Sequence, residues 1–366
     1  MVPGIRHPGE GAGRRAGGGG GFPSAAEVRG RAQGSAGLRE LGPGWASFEG
    51  RPISGYVAGC DLAPGPAGNR SDPGSELALP GAGSRRRALL VTGGQHGREW
   101  LSVTSPLCAV EAVSARLGLG AADVCEDEDG VDLLVVPNMN PDSLVYSQRV
   151  FHLWRKNRRP PARQQGEGSG GCWGVDLNRN WPISAGDDAQ GQSRNPCANT
   201  YKGSFPLSEP ETSGFVEWLD QVEAMGYDIV GNLDVHTYGQ VILGAFASSD
   251  RLPRNAAVYA EAGELMASSM GFLRGVQYEY ATGSAGGLLP LTSGTFQDYM
   301  HGRGSLSYTL ELGPPSFVNE TTVAGFLVPT SEMEPVCLEL ADGIQAFLEF
   351  LSNKTAADLW DSPDEE

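Results

Sequence analysis

A histidine and a glutamate lie three residues apart in the segment Gln-His-Gly-Arg-Glu-Trp at 95–100. This segment follows an apolar run, 88–94, whose two final glycines allow a strand to turn sharply. His96 and Glu99 can therefore point at one metal ion. An open catalytic zinc site usually has three protein ligands and a water, so this pair is only part of a site.

A third ligand is available in Leu-Asp-Val-His at 233–236, where His236 ends an apolar strand. In open α/β sheets, ligands and substrates bind at the carboxyl ends of strands. A lone histidine at a strand end more often caps a loop, but the upstream His-x-x-Glu pair favours the ligand interpretation. The other histidines lack such a context: His7, His152 and His301.

A base for hydrolytic chemistry should lie at another strand end. Glu311 follows an apolar strand and precedes Gly-Pro-Pro. A carboxylate in such a position faces either solvent or a cleft, and the pattern alone leaves both alternatives open.

Two further segments could hold a substrate. Arg155 lies in Leu-Trp-Arg-Lys-Asn-Arg at 153–158, which alone would indicate a basic surface patch. Asn178 and Arg179 are adjacent, and a guanidinium fork beside an amide N–H can bind a carboxylate.

Short apolar strand-like runs alternate with helical patterns between the two ends of the chain. This alternation favours an α/β domain with helices on both faces of a mainly parallel or mixed sheet. Strands are predicted at 52–58, 88–92, 132–137, 229–235, 240–245 and 305–312, and helices at 101–117, 208–225, 255–270 and 333–351.

Composition separates the ends from the middle. Residues 1–36 are rich in Gly and Arg and are predicted to form a disordered leader, without the apolar core of a secretory signal peptide. Residues 353–366 are predicted to be a solvated acidic tail, and 62–87 an exposed connection between strands. The net charge of −17 argues against nucleic acid and anionic membranes as partners. No apolar stretch is long enough to span a bilayer.

Taken together, these residues resemble the zinc metallocarboxypeptidases of the carboxypeptidase A/B type. The resemblance covers roughly 37–352, in the order of the family and with close to its spacing. It rests on His96-x-x-Glu99, Leu153-Trp-Arg-Lys, Asp176-Leu-Asn-Arg-Asn-Trp181, His236-Thr-Tyr238 and Glu311-Leu, with additional matches at 48–53 and 325–330.

The resemblance implies a single catalytic domain, 37–352, with a mixed, mostly parallel twisted sheet of about eight strands between helices. It implies one Zn²⁺ per chain, bound by His96, Glu99 and His236, with Glu311 as general base. The other implied roles are Asp176 orienting His96, Arg155 polarising the scissile carbonyl, Asn178 and Arg179 clamping the terminal carboxylate, and Arg98, Tyr238, Leu243 and Gln297 lining substrate subsites.

Such an enzyme is a monomeric exopeptidase that releases single amino acids from the C-termini of peptides or proteins. Gln297 stands at the base of the side-chain pocket, where family members preferring basic residues have an acid and those preferring apolar residues an aliphatic. We therefore expect neutral or apolar terminal residues. The alternatives are a catalytically inactive carboxypeptidase-like protein that binds peptide termini, and an enzyme that hydrolyses a different amide, as in a cell-wall peptide.

Three further features bear on the resemblance. Pro290 replaces a tyrosine of a mobile lid, for which Tyr278, Tyr280 or Tyr299 could substitute. The usual inhibitory pro-segment has no counterpart before residue 37. The family has a cis peptide where this chain has Gly313-Pro314, so we expect a cis bond at Pro314.

The cysteines bear on the cellular compartment. Cys172 and Cys197 occupy positions of a family disulfide, and no pairing is assigned to the other four cysteines. We expect secretion, with a cytoplasmic protein of reduced cysteines as the alternative.

Overall fold

The computed structural model describes residues 21–35, 37–59, 85–119, 130–161, 171–183, 190–272, 274–283, 290–315 and 324–360. Eight strands form one mixed sheet, in the order β1-β4-β6-β5-β7-β10-β8-β9. A separate hairpin is formed by β2 and β3. The strands are β1 (Arg39–Glu40), β2 (Trp45–Ala46), β3 (Pro52–Ile53), β4 (Tyr56–Ala58), β5 (Arg86–Gly93), β6 (Val131–Val136), β7 (Tyr227–Thr237), β8 (Val241–Gly244), β9 (Glu279–Thr282) and β10 (Leu306–Leu312).

The centre of the sheet is parallel. Strand β5 pairs in parallel with β6 and β7, and β7 pairs in parallel with β10. Antiparallel pairs lie outside this centre, between β1 and β4, β4 and β6, and β8 and β10. The prediction of a single α/β domain with a mixed, mostly parallel sheet of about eight strands is confirmed.

Helices cover both faces of the sheet. They are α1 (Ala25–Gly34), α2 (Trp100–Leu117), α3 (Pro141–Arg149), α4 (Pro210–Ala224), α5 (Ala256–Phe272), α6 (Phe296–Gly302), α7 (Met333–Ser352) and α8 (Ala356–Trp360). One core cluster joins α2, α5 and α7 to one face, and a second joins α4 and α6 to the other. Because both faces are covered, the run Ala88–Val91 in β5 is apolar throughout and completely buried.

The N-terminal prediction is wrong for part of the leader, because 25–34 form helix α1. Ser24 caps this helix: its hydroxyl accepts from the backbone N–H of Glu27, and the Glu27 carboxylate accepts from the Ser24 N–H. Val28 and Ala32 are buried against the main core. The prediction rested on the Gly and Arg content of the whole leader. It therefore missed a short capped helix that buries only two side chains.

The C-terminal prediction is also wrong in part, because residues 356–360 form helix α8. Leu359 is buried, and its carbonyl accepts a hydrogen bond from Asn255 Nδ2 at 2.8 Å. Leu359 thus packs this segment against the domain, although the charges of the tail predicted that it would be fully solvated. Within the described residues, every helix is too short or too polar to cross a bilayer. Most of the predicted connection at 62–87 lies outside the described residues.

A disulfide between Cys108 on α2 and Cys337 on α7 joins two packed helices that are 229 residues apart in sequence. Sequence analysis assigned no partner to either residue. A second disulfide joins Cys172 to Cys197, the pair that the family resemblance implies. Cys60 and Cys125 lie outside the described residues.

Candidate metal and substrate site

The three expected metal ligands meet where β5 and β7 end. His96 and Glu99 lie in the turn between β5 and α2, and His236 is the penultimate residue of β7. His96 Nδ1 lies 2.8 Å from one Glu99 oxygen, and His236 Nδ1 lies 2.9 Å from the other. The two Nδ1 atoms are 3.2 Å apart, and all three side chains are buried.

This arrangement fits a zinc ion. Ligand atoms of the three residues lie within 4.8 Å of one another, and two imidazoles with one carboxylate are a catalytic zinc donor set. Both Nδ1 atoms point inward, where two neutral acceptors facing each other would repel. A cation between them removes that repulsion.

A carboxylate binds the outer nitrogen of each histidine. His96 Nε2 lies 3.0 Å from Asp176, and His236 Nε2 lies 2.7 Å from Asp234. Such bonds fix the tautomer, because an N–H on Nε2 leaves the Nδ1 lone pair for the metal. We call His96, Glu99, Asp176, Asp234 and His236 the histidine cluster.

Asp234 is a functional candidate that sequence analysis missed. Its two oxygens also accept from Thr92 Oγ1 at 3.0 Å and Gln95 Nε2 at 2.7 Å. The available signal was the spacing, because residues two apart on a strand share a face and Asp234 precedes His236 by two. The run was read as apolar, so its buried acid was overlooked.

In the histidine cluster, neighbouring positive groups lower the pKa values of the carboxylates. Burial alone would raise the pKa of Glu99, but His96 and His236 hold it well below its usual value. Burial would likewise raise the pKa of Asp176, which Arg155 and His96 hold well below its usual value. Both carboxylates are therefore ionised.

Arg155 joins this cluster from the loop after α3. Its Nε donates to Asp176 at 2.9 Å, and its NH1 lies 3.6 Å from Glu99. The Arg155 carbonyl accepts from the backbone N–H of Gly97 at 3.2 Å, so this loop is tied to the turn that carries the ligands. Arg155 therefore does not belong to the basic surface patch that this segment alone would indicate, because its guanidinium contacts Asp176 and lies near Glu99.

Glu311 lies on the neighbouring strand, β10, directly opposite His236 in the parallel register. Burial raises the pKa of Glu311 to about 7, although the charge of His236 opposes this shift. A carboxyl group with a pKa near neutral can both accept and return a proton. Glu311 is half-buried, and the charges of His236, Glu99 and Arg155 act on it, so it faces the histidine cluster.

Asn178 and Arg179, the predicted carboxylate clamp, lie on a short 3₁₀ turn at Leu177–Arg179. Asn178 Oδ1 accepts from the Phe296 N–H at 2.8 Å, and Asn178 Nδ2 lies 3.2 Å from His236 Nε2. Arg179 is positioned by bonds from Nε to the Gly191 carbonyl and from NH1 to the Asn178 carbonyl, both 2.6 Å. Burial lowers the pKa of Arg179 to about 10.

Four further residues are those predicted to line substrate subsites. The Arg98 guanidinium is 4.3 Å from the centre of the Phe326 ring, and Tyr238 packs edge-on against the same ring at 5.0 Å. Leu243 is buried on β8, and Gln297 is buried on α6 with its Nε2 donating to the Gly244 carbonyl at 3.1 Å. Arg98 and Tyr238 thus share one aromatic neighbour, and Gln297 is bonded to β8, the strand that carries Leu243; their substrate roles stay predictions.

The tyrosines proposed as lid substitutes are held elsewhere. Tyr278 is buried and donates to Glu339, and Tyr299 is buried and stacks on Trp181. The Tyr280 ring packs against Gly263, with its hydroxyl buried. Pro290 is exposed, and 284–289 lie outside the described residues.

The expected cis bond at Pro314 is wrong. Among the described residues, the cis peptide bonds are Thr237–Tyr238 and Ala245–Phe246. Gly313 has a φ of +80°, which glycine adopts without steric cost, so the chain turns there through the glycine.

Comparison with known proteins gives the family. A family model described as zinc carboxypeptidase matches residues 44–343, most of the chain. This protein belongs to the zinc carboxypeptidase family. It is 29% identical to carboxypeptidase A1 of Rattus norvegicus over 264 residues, which cover 72% of this chain and 58% of that protein.

Other relatives differ in their assigned activity. The chain is 28% identical to inactive metallocarboxypeptidase ECM14 of Saccharomyces cerevisiae over 278 residues, 74% of this chain and 60% of that protein. A solved carboxypeptidase A from Helicoverpa armigera has a TM-score of 0.68 at 25% identity, covering 90% of this chain and 74% of that one. The chain spans less than two thirds of the length of these curated relatives.

Proposed function

We propose that this zinc carboxypeptidase family member is a catalytically active, zinc-dependent exopeptidase that removes single residues from peptide C-termini. The observation that carries the proposal is the convergence of three elements. The inward-facing pair His96 and His236 meets Glu99, the base candidate Glu311 lies opposite His236, and Asn178 contacts the same histidine.

The metal would be held by His96 Nδ1, His236 Nδ1 and the Glu99 carboxylate. Zinc bound there supplies a Lewis acid that lowers the pKa of a water towards about 7. Asp176 and Asp234 keep the histidines oriented for this task, since each accepts from the outer nitrogen.

The remaining chemistry belongs to side chains. Glu311 accepts a proton from the attacking water and donates it to the leaving amine. Arg155 donates to the carbonyl oxygen of the scissile bond, where negative charge develops in the transition state. Burial strengthens both interactions, because little water competes for the same groups.

Asn178 and Arg179 select for a chain end. A guanidinium and an amide N–H can bind a free carboxylate, and an internal residue has none. Gln297 and Leu243, which the family resemblance assigns to the side-chain pocket, are buried and uncharged, and this supports neutral or apolar terminal residues. Two disulfides among the described residues support an oxidising, extracellular compartment.

The competing proposal is an inactive peptide-binding protein, and the resemblance to inactive metallocarboxypeptidase ECM14 gives it weight. Here, however, the ligands, base, oxyanion donor and clamp are all present as side chains of suitable chemistry. A binding protein has no need of Glu311, whereas an enzyme requires it.

The test measures zinc content and peptide cleavage together for the chain and for Glu311→Gln. We expect Glu311→Gln to lower turnover by roughly 10²- to 10⁴-fold while zinc stays bound, because only proton transfer is lost. Glu334→Gln, an exposed change on α7, is the matched control. A zinc-loaded chain that cleaves no member of a mixed peptide library would support the binding protein instead.

The clamp is tested with peptides that differ only at the terminal group. A free carboxylate should be cleaved, and the same peptide with a C-terminal carboxamide should not. Equal cleavage of both would contradict the exopeptidase proposal and favour hydrolysis of a different amide.

A further inference from the structure

The residues of the carboxylate clamp lie on one short turn, and the start of that turn is tied to the metal ligand His96. Asp176 caps the turn by accepting from the Asn178 N–H at 3.1 Å, and the same oxygen accepts from His96 Nε2 at 3.0 Å. This contact fixes one end of the turn relative to one of the two histidines.

The other end of the turn leads to Trp181, whose side chain is closely packed. Its ring is buried and contacts the rings of Phe215, Phe296 and Tyr299. Phe296 also donates its backbone N–H to Asn178 Oδ1 at 2.8 Å, so one residue contacts both the clamp amide and the Trp181 ring. The Trp181 indole and the clamp amide therefore belong to one packed unit.

Gln95 connects this unit to the second histidine. It directly precedes His96, is completely buried, and its Oε1 accepts from Trp181 Nε1 at 3.3 Å. Its Nε2 donates to Asp234 Oδ2 at 2.7 Å, and the same oxygen accepts from His236 Nε2. An indole N–H can only donate and a carboxylate can only accept, so both ends of the Gln95 amide are specified.

The direct approach between the clamp and His236 supplies no such bond. Asn178 Nδ2 lies 3.2 Å from His236 Nε2, but both atoms are donors when Nε2 donates to Asp234. The path through Gln95 instead joins a donor to an acceptor at every step. A glutamate at this position would place a carboxylate against Asp234, and a methionine would leave the buried Trp181 N–H without this acceptor.

We propose that Gln95 is a positioning residue that fixes the carboxylate clamp relative to the metal ligand His236. This inference rests on the proposed exopeptidase function, because the distance from the clamp to the metal decides which bond of a bound peptide is cleaved. Only one residue separates the terminal carboxylate of a peptide from its last peptide bond. A misplacement of about 1 Å can lower a rate by roughly 100-fold, so this distance must be held closely.

The experiment compares peptides that end in alanine with otherwise identical peptides that end in β-alanine. The added CH₂ group moves the terminal carboxylate about 1.5 Å farther from the scissile bond. We expect kcat/KM in the unmodified chain to be at least roughly 100-fold lower for the β-alanine peptide. Gln95→Met keeps a similar length but lacks both hydrogen bonds, and it should reduce the alanine-over-β-alanine ratio by about tenfold.

Thr92→Val is the matched control for this ratio. Thr92 is buried on β5 and donates to the other oxygen of Asp234 at 3.0 Å, so it supports His236 without leading to the clamp. Zinc affinity, measured by competition with a chelator, should fall in both Thr92→Val and Gln95→Met, whereas only Gln95→Met should change the ratio. Trp181→Phe removes the same connection from the clamp side and should change the ratio while zinc affinity is kept.

Binding measured without turnover separates this inference from the proposed function. Calorimetric titration of Glu311→Gln, with and without Gln95→Met, gives the same ratio as a ratio of affinities. Thermal unfolding identifies a variant that has lost its fold, and the folded one of Gln95→Met and Trp181→Phe then decides. A ratio that these variants leave unchanged, or that Thr92→Val lowers equally, overturns the inference while cleavage still supports the function. A chain that cleaves nothing, but whose binding preference for alanine falls in Gln95→Met, overturns only the function.

Discussion

Two groups of buried carboxylates in this molecule have different neighbours, and the pKa values of Glu99 and Glu211 are shifted in opposite directions. In the histidine cluster, Glu99 and Asp176 face imidazole or guanidinium groups, and their pKa values lie well below the usual range. The second group, which we call the amide cluster, consists of Asn157, Glu209 and Glu211 between α4 and the loop after α3.

In the amide cluster, Glu211 accepts from neutral donors, the Phe48 N–H at 2.9 Å and Asn157 Nδ2 at 3.0 Å. The same Asn157 nitrogen donates to Glu209 at 2.7 Å, so a second carboxylate lies nearby. Burial raises the pKa of Glu211 to about 7. Burial alone therefore does not decide whether a carboxyl group is ionised; the charge of its neighbours does.

The largest expected effect on the histidine cluster comes from removing the charge of Glu99. Glu99→Gln keeps the shape of the side chain but removes the charge that holds both histidines, and we expect zinc to be lost together with all turnover. Metal analysis after dialysis against zinc-buffered solution measures this. Glu211→Gln is the matched control in the amide cluster and should retain zinc; full zinc in Glu99→Gln would contradict the assignment.

The amide cluster should instead control stability. A raised pKa means that the folded chain holds the Glu211 proton more tightly than the unfolded chain does. Its contribution to stability therefore falls as pH rises from about 4.5 to about 7, by roughly 3 kcal/mol. Glu211→Gln should remove this decline in urea unfolding at pH 5 and pH 8.

The control for that measurement is Glu217→Gln, an exposed change on the same helix, which should leave the decline in place. An unchanged pH dependence in Glu211→Gln would show that its carboxyl group is already ionised across the range.

The smallest expected effect concerns the support of one ligand. Asp234→Asn keeps an acceptor for His236 but removes its charge, and we expect zinc affinity to fall by roughly 10- to 100-fold. Competition with a chromogenic chelator measures the change. Asp228→Asn, exposed on the same strand, should bind zinc like the unmodified chain; an equal affinity in Asp234→Asn would make Asp234 a purely structural residue.

The sequence predicted the parts of the site that follow from strand ends. His96, His236 and Glu311 each end or follow an apolar run, and parallel strands bring such ends to one edge. Of the two carboxylates that hold the histidines, Asp176 was predicted from the family resemblance. Asp234 was missed, because it is enclosed in an apolar run and only its spacing of two residues from His236 indicated it.

Other features depend on contacts that composition does not encode. Helix α1 is specified by a four-residue capping pattern within a Gly-rich segment, which an average over the leader conceals. The amide cluster joins residues more than fifty positions apart, so no local pattern indicates it.

The bond between Cys108 and Cys337 turns most of the chain into a covalent ring. The ring contains Arg155, Asp176, Asn178, Arg179, His236, Gln297 and Glu311, while His96 and Glu99 lie just before its first cysteine. A protease that cuts once anywhere inside this ring cannot separate the two histidines into different molecules. The nicked protein stays one molecule under oxidising conditions and divides only on reduction, so a single cut is visible only on a reducing gel.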